Sequence, residues 1–237
     1  MTPQTPTPNH VQNPKEVAGR AAAQLVESGM IVGLGTGSTV YFTLVALAER
    51  MASEGLSFRG VPTSIDTETK ARDMGIPLVT LDQVDRIDLT IDGADEADGE
   101  FRLTKGGGGA LLREKVVAYL SNRMAVVMTP DKLVARLGKT FALPVEVVPF
   151  AASLVERALV ELGAEAKLRS AADGSTYVTD NANHILDATF PDGIESPAHV
   201  EAALAKVPGM VESGLFIGLA TELYMGKPDG TCEILTR

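Results

Sequence analysis

One stretch of the 237-residue chain concentrates residue types that could move protons on a small polar substrate. It begins with the motif Asp92-Gly93-Ala94-Asp95, whose first carboxylate directly follows a short apolar run over residues 89–91. Paired carboxylates can hydrogen-bond sugar hydroxyls, relay a proton when one raises the pKa of the other, or bind a hard cation. Taken alone, the motif is explained equally well by an Asp- and Gly-rich surface turn. Glu96 and Asp98 are expected to be the solvated remainder of that turn.

The same stretch ends with the most specific of the chemical signals, a lysine and four glycines followed by a glutamate. Lys105-Gly106-Gly107-Gly108-Gly109 leads into a predicted helix over residues 111–120, which carries Glu114 near its first turn. Glycines let a loop wrap closely around a substrate, and Lys105 supplies a positive charge, whereas a flexible linker is the alternative. Because a helix N-terminus favours negative charge, we expect Glu114 to be ionised, the form that a general base needs. Its neighbours Arg113 and Lys115 should point elsewhere, since consecutive helical residues do not share a face.

A glycine-rich turn earlier in the chain predicts a binding site for an anion. The run Gly33-Leu34-Gly35-Thr36-Gly37-Ser38-Thr39 joins a predicted strand to a predicted helix, and three hydroxyl side chains lie within it. Backbone N–H groups and the helix dipole favour a phosphate at such a turn. A dinucleotide site is less well supported, because Ser38 replaces the third glycine of the usual fingerprint. A tight turn with Ser38 as N-cap is the alternative without a ligand.

Lys132 follows the end of another predicted strand. It is a candidate second contact for the anion. The alternative is a lysine that is simply solvated, which is the usual situation of this residue type.

Strands and helices alternate through the first part of the chain. Strands are predicted over residues 30–34, 58–62, 77–80, 89–91 and 124–128, with helices between most of them. This alternation predicts an α/β fold with a Rossmann-like parallel sheet covered by helices on both faces. Ligands bind at the carboxyl ends of the strands in such sheets. The glycine-rich turn, the Asp92 motif and Lys132 each follow a predicted strand, so we expect residues 36–39 to meet the Asp92–Glu114 stretch at that edge.

Near residue 143 the order of elements changes. Strands over 145–148, 166–169, 184–190 and 210–216, with helices over 153–162 and 197–206, have the βαββαβ order of a ferredoxin-like α+β domain. We therefore expect this second domain, over residues 143–215, to be inserted near the C-terminus of the α/β domain, which comprises residues 13–142 and 216–237. Residues 1–12 are polar and rich in Pro and Thr, and are expected to be a disordered tail.

Composition excludes several classes of function. The formal net charge is −10, and no run of Lys or Arg alternates with aromatic residues, so nucleic acid is not an expected partner. No stretch approaches the roughly 20 apolar residues of a membrane-spanning helix. Cys232 is the only cysteine, which fits a reducing compartment such as the cytoplasm. The three histidines are not clustered with cysteines, so no metal site is expected.

Taken together, the motifs resemble the family of ribose-5-phosphate isomerase, type A. The resemblance rests on Thr36-Gly37-Ser38-Thr39, Asp92-Gly93-Ala94-Asp95, and Lys105-Gly106-Gly107-Gly108 with Arg113-Glu114-Lys115. It continues in Leu143-Pro144-Val145-Glu146-Val147, Val178-Thr179-Asp180-Asn181, Ile185-Leu186-Asp187 and Pro208-Gly209. The departures are a long N-terminal tail and the fourth glycine, Gly109.

The resemblance implies interconversion of ribose 5-phosphate and ribulose 5-phosphate in the pentose phosphate pathway, by a homodimer or homotetramer without metal or organic cofactor. It implies that Glu114 moves a proton between C1 and C2 through an enediolate. Asp92, Asp95 and Lys105 would contact the sugar hydroxyls, assist ring opening and stabilise the oxyanion. Residues 36–39 and Lys132 would bind substrate, together with the backbone around the other two motifs.

Two other functions are compatible with the same motifs. A non-catalytic phosphosugar-binding module that senses metabolites would need the binding loops but not Glu114. A CoA-transferase-like enzyme would use a similar sheet with an acyl-accepting glutamate.

Overall fold

The computed structural model describes residues 12–237. The helices are α1 (Pro14–Ala23), α2 (Ser38–Glu54), α3 (Ile65–Asp73), α4 (Leu111–Tyr119), α5 (Ala152–Glu161) and α6 (Pro197–Leu204). The strands are β1 (Ile31–Leu34), β2 (Arg59–Pro62), β3 (Leu89–Gly93), β4 (Glu96–Ala97), β5 (Leu103–Thr104), β6 (Met124–Met128), β7 (Leu143–Val147), β8 (Glu165–Leu168), β9 (His184–Thr189), β10 (Met210–Ser213), β11 (Leu215–Phe216), β12 (Glu222–Gly226) and β13 (Cys232–Thr236). None of the helices within residues 12–237 is long and apolar enough to cross a bilayer.

The largest sheet has six strands in the order β13-β12-β6-β3-β1-β2. Neighbouring strands are parallel except β12 and β13, which form an antiparallel hairpin. Strand side chains alternate between two covered faces: Val32 packs in the cluster that contains α1 and α2, whereas Ile31 packs against Val117 of α4. β6 is buried at every position, as expected for a strand covered on both faces. The predicted Rossmann-like α/β architecture is confirmed.

A second, antiparallel sheet has the order β10-β7-β9-β8. Its apolar face packs against α5 and α6, with Val145, Leu159 and Leu204 in one buried cluster. The strands and helices follow one another as βαββαβ, so the ferredoxin-like α+β class is confirmed. The boundaries at residues 143 and 215 stay a prediction.

A third, small sheet was not predicted. It joins β11, β5 and β4, and the expected strand over residues 210–216 is divided into β10 and β11 at Gly214. A Cβ at Gly214 would lie 2.3 Å from the carbonyl oxygen of Lys105. The Lys105 N–H donates to the Gly214 oxygen (2.8 Å). The chain therefore passes from one sheet to another directly beside the predicted site, where only glycine fits.

Glu96 is fully buried, so the expectation of a solvated carboxylate was wrong, and Asp98 is buried as well. The Glu96 carboxylate accepts bonds from the Gly138 N–H (2.6 Å), from the N–H and hydroxyl of Thr140 (2.7 and 2.6 Å), and from the Phe141 N–H (3.0 Å). These donors come from a segment more than 40 residues further on, so nothing near Glu96 in the chain indicated them. Glu96 thus holds the turn that leads into β7.

Two other expectations differ from the structure or fall outside it. Residues 77–80 form one isolated parallel bridge, between Leu78 and Gly60, instead of a strand. Pro77 has no N–H to extend the pairing. The predicted tail lies outside the described residues except for Gln12, whose N–H donates to the carbonyl oxygen of Pro228 (3.0 Å).

Candidate active site

The carboxyl ends of β1, β3 and β6 meet at one edge of the six-stranded sheet, above which lies a cavity of about 220 Å³. Its walls are formed by Lys15, Thr36, Gly37, Ser38, Thr39, Gly93, Ala94, Asp95, Lys105, Gly106, Gly107, Gly108, Glu114, Met128, Thr129 and Lys132. The predicted site residues are therefore together, except that Asp92 lies beneath the cavity, fully buried. Lys15, Met128 and Thr129 were not predicted.

The ammonium group of Lys105 lies at the centre of the site, although its side chain is only 2% exposed. Its Nζ donates to the carbonyl oxygen of Gly93 (2.7 Å), and lies 3.1 Å from Asp92 Oδ2 and 3.2 Å from Glu114 Oε1. Burial by itself lowers the pKa of Lys105, but the two carboxylates outweigh burial and raise the pKa above its ordinary value. Lys105 therefore stays protonated and supplies the cation between the two carboxylates.

The carboxyl group of Glu114 is buried, and its Oε2 has no hydrogen-bond partner among residues 12–237. Burial, followed by the charge of Asp92, raises the pKa of Glu114 to about 8, although Lys105 opposes the shift. The expectation that the helix N-terminus keeps this group ionised was therefore wrong in direction. Removal from water and a like charge outweigh the helix dipole, which is typically worth 0.3–1 kcal/mol. A carboxyl group with a pKa near the working pH can both accept and return a proton.

Asp92 joins the glycine-rich turn of residues 33–39 to the motif of residues 92–95. Its Oδ1 accepts bonds from the Thr36 N–H (3.0 Å) and the Gly93 N–H (2.7 Å). A Cβ at Gly35 would lie only 2.2 Å from this oxygen, so this glycine allows β1 and β3 to approach at the site. Asp92 therefore lies beneath the cavity and contacts two residues of its wall, Thr36 and Lys105.

The glycine loop after Lys105 has a defined conformation, so the linker interpretation was wrong. Gly106 and Gly109 adopt positive φ angles of 107° and 79°, which side chains disfavour. The Gly107 N–H donates to Asp95 Oδ2 (2.7 Å). Burial raises the pKa of Asp95 above its usual value, and the Gly107 N–H and the Lys105 charge offset only part of that effect.

The loop between β1 and α2 leads into the first turn of a helix that no side chain of residues 12–237 caps. Helix α2 begins at Ser38, and the N-cap position is Gly37, which has no side chain to bond the first N–H groups. The alternative of Ser38 as N-cap was thus wrong, and the N–H groups of the first turn remain available to a ligand. The Thr36 hydroxyl is bonded to Thr63 and Ser64, both at 2.8 Å, which positions the loop.

Two lysines flank this loop. Lys132, which was predicted, follows β6 in a short 3-10 turn (Pro130–Lys132), and Lys15 comes from the first turn of α1. The Nζ of Lys15 donates to the Ser38 hydroxyl (2.9 Å). Lys15 belongs to no recognisable motif, and only the packing of α1 against α2 brings it to the cavity.

The neighbours of Glu114 point away from the cavity, as expected. Arg113 Nε donates to Asn181 Oδ1 (2.9 Å), and Lys115 Nζ donates to Glu212 Oε1 (2.7 Å). Both partners belong to the second, antiparallel part of the structure. The flanking charges of Glu114 thus join the two sheets.

Comparison with known proteins gives a consistent result. Residues 59–230 match the family described as Ribose 5-phosphate isomerase A (phosphoriboisomerase A). The chain is 45% identical to "Ribose-5-phosphate isomerase A" of Bacillus mycoides over 223 residues, which are 94% of this chain and 100% of the relative. It is 50% identical to the protein of the same name from Gloeobacter violaceus, over 94% of this chain and 95% of the relative.

Solved structures agree with these relatives. A ribose 5-phosphate isomerase A from Methanocaldococcus jannaschii superposes with a TM-score of 0.89 at 38% identity, covering 94% of this chain and 98% of that one. A D-ribose-5-phosphate isomerase in complex with phospho-erythronic acid superposes with a TM-score of 0.91 at 36% identity, covering 95% of this chain and 100% of that one. These matches favour an isomerase over the sensor and the CoA-transferase. The chain belongs to the ribose 5-phosphate isomerase A family.

Proposed function

We propose that the protein interconverts D-ribose 5-phosphate and D-ribulose 5-phosphate, in the non-oxidative branch of the pentose phosphate pathway, with Glu114 as the general base. The observation that carries this proposal is the buried Glu114 carboxyl group, which faces the cavity beside a protonated lysine. One of its oxygens has no hydrogen-bond partner in the part of the chain that the structure describes. An aldose–ketose isomerase needs one base that reaches two adjacent carbons, and a positive charge near the oxygen that becomes negative.

In the proposed reaction the Glu114 carboxylate removes the proton from C2 of the open-chain aldehyde. The electron pair of the C–H bond forms the C1–C2 double bond of an enediolate, and the aldehyde oxygen becomes negative. Glu114 then returns the proton to C1. The proton of the hydroxyl group on C2 is transferred to the oxygen on C1. A carbonyl group therefore remains at C2. Atoms and electrons balance, and the steps require no oxidant.

The remaining charged groups have separate roles in this proposal. The Lys105 ammonium already contacts three oxygens, so we assign it to stabilising the oxyanion through its charge and holding Glu114 in place. Asp92, which lies below the cavity wall, positions Lys105 and the loop of Thr36 instead of contacting a sugar hydroxyl. Asp95 faces the cavity with a raised pKa, which suits proton transfer to the ring oxygen during ring opening.

The phosphate is proposed to bind at the N-terminus of α2. The N–H groups of the first helical turn, the hydroxyl groups of residues 36–39, Lys15 and Lys132 surround that part of the cavity. Helix dipole and lysine charges both favour a dianion there. In this proposal the phosphate lies beside the N-terminus of α2, and Glu114 acts on the other end of the sugar.

The deciding experiment is an isomerisation assay with ribose 5-phosphate in the presence of a chelator. We expect turnover in the chelator, inhibition by phospho-erythronic acid that is competitive with the substrate, and poor turnover of ribose, which lacks the phosphate. A folded protein that releases no ribulose 5-phosphate would refute the proposed activity. Turnover that ceases with the chelator and returns with a divalent cation would refute the proposed mechanism.

We also propose that the protein is a homodimer or homotetramer in the cytoplasm. Large apolar side chains on the surface of the chain, among them Phe150 (98% exposed) and Tyr119 (83% exposed), support burial against a second copy. Light scattering after size-exclusion chromatography tests the assembly, with a monomer as the contradicting result. Cell fractionation tests the location.

A further inference from the structure

The glycine loop of the site is held from outside by the connection between β8 and β9. Arg169, directly after β8, donates from one guanidinium nitrogen to the carbonyl oxygens of Gly106 (2.9 Å) and Gly107 (3.2 Å). The same guanidinium is held by Asp187 of β9, with Arg169 Nε donating to Asp187 Oδ2 (2.9 Å) and a second nitrogen to the other oxygen. The Arg169 side chain is only 13% exposed, so this ion pair has a defined geometry.

These contacts determine which way the loop's N–H groups point. The Gly106 carbonyl and the Gly107 N–H belong to one planar trans peptide, in which the two groups point in opposite directions. Because Arg169 binds this carbonyl on one side, the Gly107 N–H is directed to the other side, where Asp95 accepts it (2.7 Å). Arg169 also binds the Gly107 carbonyl and so orients the next peptide, which joins Gly107 to Gly108. Gly108 lines the cavity.

Tyr177 adds a contact further along the loop. Its hydroxyl donates to the Gly108 carbonyl oxygen (3.3 Å), and its ring lies 5.8 Å from the Arg169 guanidinium. A Cβ at Gly109 would lie 2.2 Å from the Tyr177 hydroxyl oxygen. Gly109 thus makes room for this tyrosine.

We propose that Arg169, held by Asp187, is a positioning residue for the isomerisation, because it orients the peptides of residues 106–108 and through them Asp95. This inference rests on the proposed function and adds to it a contribution from the antiparallel sheet. Arg169 acts through backbone groups, since it does not line the cavity. Burial raises the pKa of Asp95, and the charge of Arg169 offsets part of that rise.

The test compares Arg169→Ala and Arg169→Lys with the control Arg123→Ala. Arg123 forms a similar pair with Glu222, with nitrogens at 2.6 and 3.0 Å from one carboxylate oxygen, but it precedes β6 at the opposite edge of the sheet. We expect Arg169→Ala to lower kcat about 10- to 100-fold, as for a misplaced catalytic group. KM and inhibition by inorganic phosphate should stay close to wild type, because the phosphate contacts are elsewhere.

Arg169→Lys separates charge from geometry, since lysine keeps the charge but lacks the planar fork. We expect it to keep the pH profile of the wild type without recovering its kcat, whereas Arg169→Ala shifts the ionisation of Asp95 to higher pH. If Arg169→Ala does not fold, Asp187→Asn weakens the same contact more gently and should lower kcat in the same direction. A kcat for these variants equal to that of Arg123→Ala would overturn the inference.

Amide hydrogen exchange tests the loop without any assay of activity. Exchange in residues 106–109 should be about tenfold faster or more in Arg169→Lys than in wild type, the effect of losing a charge-assisted bond. Arg123→Ala should leave it unchanged. Unchanged exchange in Arg169→Lys would refute the orienting role even if isomerisation is confirmed. Inactive wild-type protein with faster exchange in Arg169→Lys would instead refute the proposed function alone.

Discussion

Replacing Glu114 with glutamine keeps the size of the side chain and removes the group that ionises. Gln can still face Lys105, whose ammonium remains paired with Asp92 at 3.1 Å and bonded to the Gly93 carbonyl at 2.7 Å. We therefore expect Glu114→Gln to fold. Its kcat should fall by roughly 100- to 10,000-fold, the usual contribution of a positioned base. KM should change little, because Glu114 is not among the proposed phosphate contacts.

The same variant should change the pH dependence of stability. The pKa of Glu114 is about 8 in the folded protein, mainly because of burial, against an ordinary value of 4.5. Between these values the folded state keeps a proton that the unfolded state has released, so the free energy of unfolding of the wild type falls as pH rises. The slope is up to about 1.4 kcal/mol per pH unit. Glutamine does not titrate, so the stability of Glu114→Gln relative to wild type should rise from about pH 5 to about pH 8.

Urea unfolding of both proteins at several pH values, together with pH profiles of kcat/KM, measures these effects. The wild-type kcat/KM should rise with pH up to about 8 as the base ionises. Glu114→Asp is the matched control, because it keeps a carboxylate but withdraws it from the cavity. Turnover of Glu114→Gln within tenfold of the wild type would exclude Glu114 as the base. A stability difference that is independent of pH would refute the argument from burial.

Three further substitutions test the surroundings of the site. Glu96→Gln removes an acceptor from the buried turn over residues 138–141 and should lower the free energy of unfolding by about 1–3 kcal/mol in urea titrations; equal stability would contradict the assigned role. Gly35→Ala places a Cβ 2.2 Å from Asp92 Oδ1 and should lower kcat at least about tenfold, whereas Gly99→Ala, whose Cβ would have no atom of residues 12–237 within 4 Å, should not. Lys15→Met should raise KM and the inhibition constant of inorganic phosphate about 3- to 10-fold with kcat nearly unchanged, and exposed Lys206→Met serves as the control. An unchanged KM for Lys15→Met would remove Lys15 from the phosphate site.

Much of the fold was predictable, because its signals are local. Short apolar runs such as the one at β6, which alternate with helices along the chain, predict a parallel sheet covered on both faces. The change of rhythm near residue 143 likewise predicted the antiparallel sheet. The short strands β4 and β5 were missed, since strands of two residues have no periodicity to recognise, and β11 was predicted only as the end of the strand over residues 210–216.

The candidate site was predictable where a motif follows a strand. It was unpredictable where the packing of distant elements brings a single residue to the site. Asp95, Lys105 and Glu114 belong to recognisable runs within one stretch of the chain. The rule that ligands bind at the carboxyl ends of parallel strands predicted that residues 36–39 lie beside that stretch. Lys15 and Arg169 have no motif of their own. Each reaches the site because two elements pack together, as α1 does on α2.

The sequence by itself determined the order of elements, the residue types available for proton transfer and the family to which the chain belongs. Only the tertiary structure decided that Asp92 lies beneath the cavity, that Glu96 is buried, and that the pKa of Glu114 is raised instead of lowered. The physical reason is that desolvation and Coulomb interactions depend on burial and on distance in space. The distances of 3.1 and 3.2 Å around Lys105 come from folding, which brings β3, the glycine loop and α4 together.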